Sequence, residues 1–132
     1  MKTINELTEK IGINHLNEMQ GAVVKAIQHT NDNIMVLSPT GSGKTLAYLL
    51  PLVCMVDSAS DDLQAIVIVP GRELALQSLN VLHSLGNDVR GYACYGGRPT
   101  MDEHRQLRQL KPHIIFATPG RMNDHIDKDN VD

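Results

Sequence analysis

Residues 34–45 read IMVLSPTGSGKT, the most informative stretch of the chain. An apolar run over residues 34–38 leads into a glycine-containing loop, and an apolar helical pattern begins at about Lys44. A strand that ends in such a loop and continues into a helix is the context of a phosphate-binding P-loop. Main-chain N–H groups beside the glycines, together with the positive end of the new helix, would surround phosphate oxygens. The stretch therefore predicts a nucleoside triphosphate site.

Two side chains of this loop are the candidate catalytic residues. Lys44 is placed to reach the β- and γ-phosphates, and the Thr45 hydroxyl is placed to bind the Mg²⁺ ion that accompanies a nucleotide. The other candidates for nucleotide contact in the loop are Thr40, Gly41, Ser42 and Gly43. Ser38 stands where the common pattern has Gly, but it is small enough for the loop to close. The alternative is a glycine-rich turn with an incidental lysine.

Three further apolar runs are predicted as strands, over residues 65–69, 89–95 and 113–117. Such near-continuous runs are typical of strands buried on both faces of a parallel sheet. Helical patterns separate the strands, so the sequence predicts an open α/β sheet with right-handed crossovers.

The helices are predicted from apolar residues at helical spacing. The four stripes are Ile4, Leu7 and Ile11; Leu16, Met19, Val23 and Ile27; Leu46, Leu49, Leu50 and Val53; and Ala75, Leu79, Leu82 and Leu85. Gly12 and Gly86 are expected to end the first and last of these helices, and Pro51 to kink the third. A fifth helix is expected to open with a Ser/Thr-x-x-Glu capping box at residues 100–103 and to stop before Pro112.

Composition limits the function classes. The chain has 132 residues, of which 42% are hydrophobic and 3% aromatic, and its net charge is −3. This balance argues against a broad basic surface that binds nucleic acid by charge alone. Cys54 and Cys94 lie in apolar runs and are expected to be buried free thiols, and no Cys/His spacing indicates a metal site. We expect a cytoplasmic protein without a secretion signal, a membrane span or a membrane partner.

Polar and glycine-rich turns follow the three later strands. The turns contain Pro70, Gly71 and Arg72; Gly96 and Gly97; and Thr118, Pro119, Gly120 and Arg121. All of them stand just past a strand's carboxyl end, where open α/β sheets bind ligands. Taken singly, each has a plainer interpretation: a helix start at Thr118-Pro119, a simple turn at Gly96-Gly97, or a loop brace at Arg72.

In this order and at these distances, the P-loop and the three turns resemble those of DEAD-box RNA helicases, over almost the whole chain. The resemblance implies a RecA-like P-loop three-layer sandwich with a mostly parallel sheet. It also implies ATP and Mg²⁺ as cofactors, and single-stranded or duplex RNA held by its backbone. The RNA-binding residues would be Pro70, Gly71, Arg72, Gly96, Gly97, Thr118, Pro119, Gly120 and Arg121. In that family Gly71 is usually Thr, so any contact there would come from the backbone.

The family also has an adenine-reading segment before the P-loop, which corresponds here to residues 12–20. Gln20 matches the family's glutamine, whose amide can bond adenine twice, and Ile13 stands in the place of an aromatic residue and would cover the base. Asn17 replaces a threonine and keeps its capping chemistry. The alternative for Gln20 is a capping-box partner of Asn17.

The family's Asp-Glu-Ala-Asp motif does not occur in these 132 residues. We therefore expect a partial N-terminal RecA-like domain over residues 1–132, with an adenine-recognition segment at about 1–31 and the P-loop and RNA-backbone motifs at 32–132. Such a piece would bind nucleotide without turnover. Its sheet would lack central strands and would leave a gap, re-pair its strands, or self-associate. Rival hypotheses are a P-loop DNA helicase or translocase and a non-catalytic helicase-like adaptor.

Overall fold

The computed structural model describes residues 3–13, 15–37, 43–85, 88–128 and 130–131. The chain forms two compact units, one of residues 1–55 with 84–86 and the other of residues 56–83 with 87–132. No helix among the described residues is long and apolar enough to cross a membrane. The division into functional segments at residues 1–31 and 32–132 stays a prediction.

Helices make up the regular structure described in the first unit: α1 (Ile4–Lys10), α2 (Glu18–His29) and α3 (Lys44–Met55). α3 packs against both α1 and α2. The buried apolar side chains of this unit include Leu7, Val23, Val24, Ala47, Leu49, Leu50, Val53 and Cys54. Five of these eight positions belong to the predicted stripes, and Val24, Ala47 and Cys54 do not. The helical periodicity therefore identified only part of this core, because the other stripe residues of the unit are half-buried.

The ends of these helices follow from local chemistry. Thr3 caps α1 with its hydroxyl, which accepts from the Glu6 N–H at 3.2 Å. Gly12 follows α1 with φ of +75°, the left-handed conformation that glycine adopts most easily, as predicted. α3 runs through Pro51 to Met55 as one helix, although proline cannot donate a hydrogen bond there.

The first predicted strand, over residues 34–38, is wrong for the part that the structure describes. Residues 34–37 take no part in a strand, and Met35 and Leu37 are 86% and 89% exposed. Strand pairing needs a neighbour for each backbone N–H and C=O group, and no described residue provides one here. Among the outcomes expected for an incomplete sheet, the described residues fit an unpaired segment. Ser38 lies outside them.

The second unit has α/β architecture, and its elements alternate along the chain. They are β1 (Ala65–Ile68), α4 (Arg72–Ser84, whose last residue counts with the first unit), β2 (Gly91–Cys94), α5 (Thr100–Leu110), β3 (Ile114–Ala117) and α6 (Pro119–Asp127). In the described residues the sheet is parallel, in the order β1-β3-β2. The three later strands are confirmed, each slightly shorter than its apolar run. Gly86, the predicted end of α4, lies outside the described residues.

β3 is the central strand, and every one of its residues is buried. Ile115 pairs with Ile66 of β1 and with Tyr92 of β2, so one strand sets the register of both neighbours. β1 differs, because Ile66 and Ile68 are 42% and 53% exposed. The prediction that the strands are buried on both faces is therefore right for β3 and wrong for β1, which pairs on one side only among the described residues.

α5 does not begin with the predicted capping box. Its N-cap is Pro99, which makes no side-chain bond among the described residues, and Thr100 is already the first helical residue. The Glu103 side chain is fully buried and turns to tertiary partners instead of the helix end. Glu103 bonds residues outside its helix instead of the N-terminus of α5, because several donors converge on this carboxylate.

Gly91 permits close contact between β2 and α4. A Cβ atom built on Gly91 would lie 2.4 Å from Leu82 Cδ2 and 3.0 Å from Leu79 Cδ1. Both atoms are terminal methyl groups of leucine side chains of α4, so a methyl group on residue 91 would force these side chains to repack, and Leu82 is 1% exposed.

We expect Gly91→Ala to lower the free energy of unfolding by about 1–3 kcal/mol, the usual cost of overpacking a filled core. Urea unfolding followed by circular dichroism would measure it. Gly120→Ala is the matched control, because a Cβ at Gly120 in α6 meets no described atom within 4 Å. Equal unfolding midpoints for the two variants would contradict this account of the packing.

Candidate nucleotide and nucleic-acid sites

Of the nucleotide candidates in the first unit, Gly43, Lys44 and Thr45 lie at the start of α3. The helix begins at Lys44, as predicted, and the preceding Gly43 has φ of +86°, which requires glycine. Lys44 is exposed and Thr45 is half-buried on the first turn. The end of the P-loop thus has the expected helix start and backbone conformation. Thr40, Gly41 and Ser42 lie outside the described residues.

Gln20 connects α2 to that helix start. Its Oε1 accepts from the Asn17 N–H at 3.0 Å while the Asn17 side chain accepts from the Gln20 N–H at 2.8 Å, so the capping-box interpretation is confirmed. Gln20 Nε2 also donates to the Gly43 carbonyl at 3.3 Å. The Gln20 amide therefore contacts Gly43, the residue that precedes α3. Its bond to adenine, and the cover that Ile13 would give, stay predictions.

In the second unit, the turns after β1 and β2 meet around one tyrosine. Arg72 opens α4 with its guanidinium carbon 5.3 Å from the centre of the Tyr95 ring, and Arg98 stacks on the same ring at 4.0 Å. Both distances suit cation–π contact. Between Tyr95 and Arg98, Gly97 has φ of +97° and Gly96 is exposed, and a Cβ on either would meet no described atom within 4 Å. A chain could approach the backbone of this glycine turn closely.

The third turn begins α6. Thr118 is the N-cap and Pro119 the first helical residue, as predicted, although the Thr118 side chain makes no capping bond among the described residues. Pro119 and Gly120 are exposed. The Thr118 N–H donates to the Cys94 carbonyl at 3.0 Å, which anchors the start of α6 to the end of β2. The α6 start and the glycine turn therefore flank the same strand end.

A single buried carboxylate links these two turns. Glu103 Oε2 accepts from the Tyr95 N–H at 3.0 Å and from Arg98 Nε at 2.9 Å. Its Oε1 accepts from Arg121 Nη1 at 2.8 Å and from His125 Nε2 at 2.9 Å. Glu103 is fully buried, and the Arg121 side chain is only 9% exposed. The carboxylate is thus surrounded by donors from both turns and from α6.

These bonds keep Glu103 charged. Burial raises the pKa of Glu103, but hydrogen bonds from His125, Arg121, the Tyr95 backbone and Arg98 outweigh burial, and the net pKa is lowered. Arg121 Nη2 also donates to the Arg98 carbonyl at 2.7 Å, so its guanidinium is directed into the protein. The predicted Arg121–phosphate bond stays a prediction, while its contacts in this structure are intramolecular.

Sequence reasoning missed the role of Glu103, although a signal was present. Glu103 is four residues before Leu107, the other buried position of α5, so an acidic residue occupies the apolar face of that helix. A carboxylate at such a position needs buried donors. The capping-box pattern at the same residue gave a sufficient local explanation and concealed that need.

A model of the DEAD/DEAH box helicase family matches residues 17–132, which is most of the chain. The chain belongs to the DEAD/DEAH box helicase family. The match contains every described residue of the three turns, together with Gln20, Lys44 and Thr45.

Curated relatives of this helicase chain are longer than it is. It is 38% identical to the DEAD-box ATP-dependent RNA helicase CshA of Bacillus subtilis (strain 168) over 99% of the chain and 26% of that protein. It is 45% identical to the Bacillus licheniformis protein of the same name over 74% of the chain and 20% of that protein. The chain thus spans about a quarter or less of these relatives.

Solved structures share the fold. A crystal structure of a hypothetical ATP-dependent RNA helicase from Sulfolobus tokodaii has a TM-score of 0.83 and 28% identity, covering 98% of this chain and 37% of its own. Mss116p, bound to single-stranded RNA and AMP-PNP, also has a TM-score of 0.83, with 24% identity and coverage of 97% and 27%. The predicted RecA-like α/β fold class is confirmed by these neighbours.

One cluster of this helicase chain has metal-ligand geometry but not metal-ligand chemistry. Cys94, Glu103 and His125 bring one ligand atom each to within 4.8 Å of one another, and all three are buried. Burial, followed by the charge of Glu103, raises the pKa of the Cys94 thiol to about 12, so the thiol keeps its proton. A cation would also face the guanidinium groups that already neutralise Glu103. The cluster is better suited to hydrogen bonding than to zinc.

Cys94 should accordingly resist alkylation in the folded protein. A pKa three units above the ordinary 9.0 leaves roughly a thousandfold less thiolate, and the side chain has no exposed surface. Iodoacetamide labelling at pH 8, read by peptide mass spectrometry, should modify Cys54 before Cys94, because Cys54 is 8% exposed. Labelling in guanidinium should remove the difference.

The raised pKa of the Cys94 thiol makes the free energy of unfolding depend on pH. The folded thiol holds a proton that the unfolded thiol loses above about pH 9, so Cys94 favours folding below that pH and its contribution declines as the pH rises toward 12. Native labelling of Cys94 as fast as Cys54 would contradict the buried, protonated thiol.

Proposed function

We propose that this chain is the ATP-binding and RNA-backbone-binding portion of an ATP-dependent RNA helicase, and that the whole protein remodels RNA with the energy of ATP hydrolysis. The observation that carries this proposal is the paired geometry of the glycine turn and the α6 start, which meet at one strand end with exposed backbone. Family membership and the names of the CshA relatives support it.

The nucleotide part of the proposal is supported by the first turn of α3. Unpaired N–H groups at a helix start attract phosphate, and Lys44 adds a mobile positive charge there. Thr45 places a hydroxyl oxygen on the same turn, the ligand type that Mg²⁺ prefers. Gln20 is held against Gly43, beside the predicted loop. We assign ATP with Mg²⁺ as the ligand of this turn.

The RNA part is supported by the kind of surface that the turns present. The turns present an exposed Arg72 and glycines with open space at the Cβ position. Backbone N–H groups and guanidinium groups commonly bond phosphates and sugars, and such contacts carry no sequence information. A net charge of −3 argues against a broad electrostatic footprint, so we expect the affinity to come from these few contacts. Binding should be independent of RNA sequence.

Lys44→Ala should weaken binding of an ATP analogue with Mg²⁺ by roughly tenfold or more, because a charge-assisted bond to phosphate is lost. Fluorescence titration of the 132-residue chain with a labelled analogue would measure this. Lys25→Ala is the matched control, since Lys25 is exposed on α2 of the same unit. Identical affinities for the two variants would refute the assignment of Lys44.

Arg72→Gln should weaken single-stranded RNA binding to a similar degree for all sequences and lower the salt slope by about 0.7, the value for one phosphate contact. Anisotropy titrations with A-rich, U-rich and mixed oligonucleotides at several salt concentrations would test this. Arg105→Gln is the control, because Arg105 is 69% exposed on α5 and pairs only loosely with Asp102 at 3.7 Å. The same oligonucleotides made of DNA would separate an RNA helicase from a DNA translocase. Base-dependent losses would contradict backbone recognition.

A further inference from the structure

Glu103 grips both ends of the glycine turn. The turn is bracketed by Tyr95 and Arg98, and the main-chain N–H of the first and the Nε of the second both donate to Glu103 Oε2. Arg98 also donates through Nη2 to the Ala93 carbonyl. The two open glycines therefore lie on a short loop whose flanking residues bond to one oxygen atom.

The other oxygen of the same carboxylate holds the start of α6. Arg121 is the third residue of that helix, after Pro119 and Gly120, and its Nη1 donates to Glu103 Oε1 at 2.8 Å. Arg121 Nη2 returns to the Arg98 carbonyl at 2.7 Å, which adds a direct bond between the two turns. One carboxylate thus fixes the separation of two turns that follow different strands.

Stability alone is a weak explanation for this arrangement. Glu103 lies on the face of α5 that Leu107 also buries, where an apolar residue would serve the core. Replacing a buried ion pair by apolar residues is often neutral or stabilising, so a charge kept here suggests a need for defined geometry. Contacts to a polymer backbone depend on such geometry, because each phosphate must meet its donors at a fixed spacing.

We propose that Glu103 is a positioning residue for RNA binding, which holds the glycine turn and the α6 start at the spacing that one RNA backbone requires. Arg121 then acts as a brace between the turns, and the main-chain N–H groups and exposed side chains make the contacts to RNA. This inference rests on the proposed RNA-binding function and assigns a role to a residue outside the sequence motifs.

His125 completes the support from behind. Its Nε2–H donates to Glu103 Oε1 at 2.9 Å, and its Nδ1 accepts from Asn130 Nδ2 at 2.9 Å. Among the described residues, each group that bonds the Glu103 carboxylate donates a hydrogen to it, and both carboxylate oxygens only accept. An amide in place of the carboxylate would direct an NH₂ group at one pair of these donors, which makes Glu103→Gln a sharp test at constant volume.

The experiment compares Glu103→Gln with Asp102→Asn in the 132-residue chain, at a temperature where circular dichroism shows both to be fully folded. Asp102 is the adjacent acidic residue of α5, is 58% exposed, and approaches Arg105 only at 3.7 Å. We expect the Kd for a single-stranded RNA to rise roughly tenfold in Glu103→Gln, the change that the loss of about one hydrogen bond to a charged phosphate produces. Asp102→Asn should bind RNA like the wild type.

Two readouts separate positioning from a general loss of structure. Affinity for an ATP analogue with Mg²⁺ should be unchanged in Glu103→Gln, because the hydrogen bonds of Glu103 all lie within its own unit. In ¹⁵N NMR spectra the amide signals of Tyr95, Gly96 and Gly97 should shift or broaden in Glu103→Gln and not in Asp102→Asn. Loss of both affinities together would overturn the positioning role.

Arg98→Lys keeps the experiment decisive if Glu103→Gln does not fold. Lysine retains the positive charge, so any general attraction to RNA remains, but it cannot bond Glu103 and the Ala93 carbonyl together as the guanidinium does. We expect Arg98→Lys to lose RNA affinity in the same direction. If Glu103→Gln folds and binds RNA as tightly as the wild type, the inference is overturned. If Glu103→Gln does not fold, wild-type affinity of Arg98→Lys for RNA overturns it instead. Failure of the wild type itself to bind RNA would overturn the proposed function first.

Discussion

The second unit depends on the burial and two-sided pairing of β3. Its residues bond to β1 on one side and to β2 on the other, with Ile115 opposite both Ile66 and Tyr92. Because all three strands are parallel, their carboxyl ends lie on one edge, and each following turn starts there. This single constraint brings together turns that are separated by more than twenty residues in sequence. Without the pairing of β3, the glycine turn and the α6 start would not follow neighbouring strands of one sheet.

Packing around β3 leaves little freedom to the residues beside it. Gly91 is needed because Leu82 and Leu79 of α4 approach the β2 backbone, and Phe116 is fully buried at the centre. The Glu103 carboxylate at this edge is satisfied within the protein, with donors on both oxygens. A close-packed scaffold with a bonded carboxylate can hold exposed turns in one conformation, which binding to a repetitive backbone requires.

The first unit presents its candidate ligand groups differently. The groups described there are the helix start at Lys44, Gly43 in the left-handed conformation, and Gln20, which bonds both the N-cap residue of α2 and the Gly43 carbonyl. This structural role of Gln20 leaves its side-chain amide able to bond a further partner, since the amide has a second lone pair and a second N–H hydrogen. Residues 34–37 remain exposed there despite their apolar character, since no described strand pairs with them.

The α/β class, the helices, three of the four strands and the positions of the turns could be predicted from local sequence, because periodicity and Gly/Pro placement act locally. The sequence also indicated family membership through motifs such as Thr118 to Arg121. Three features became visible in the folded chain alone: residues 34–37 are unpaired among the described residues, β1 is half-exposed, and Glu103 bonds two turns instead of capping α5. These outcomes depend on neighbours distant in sequence. Strand pairing and buried-charge partners are properties of the assembled fold, and no local pattern contains them.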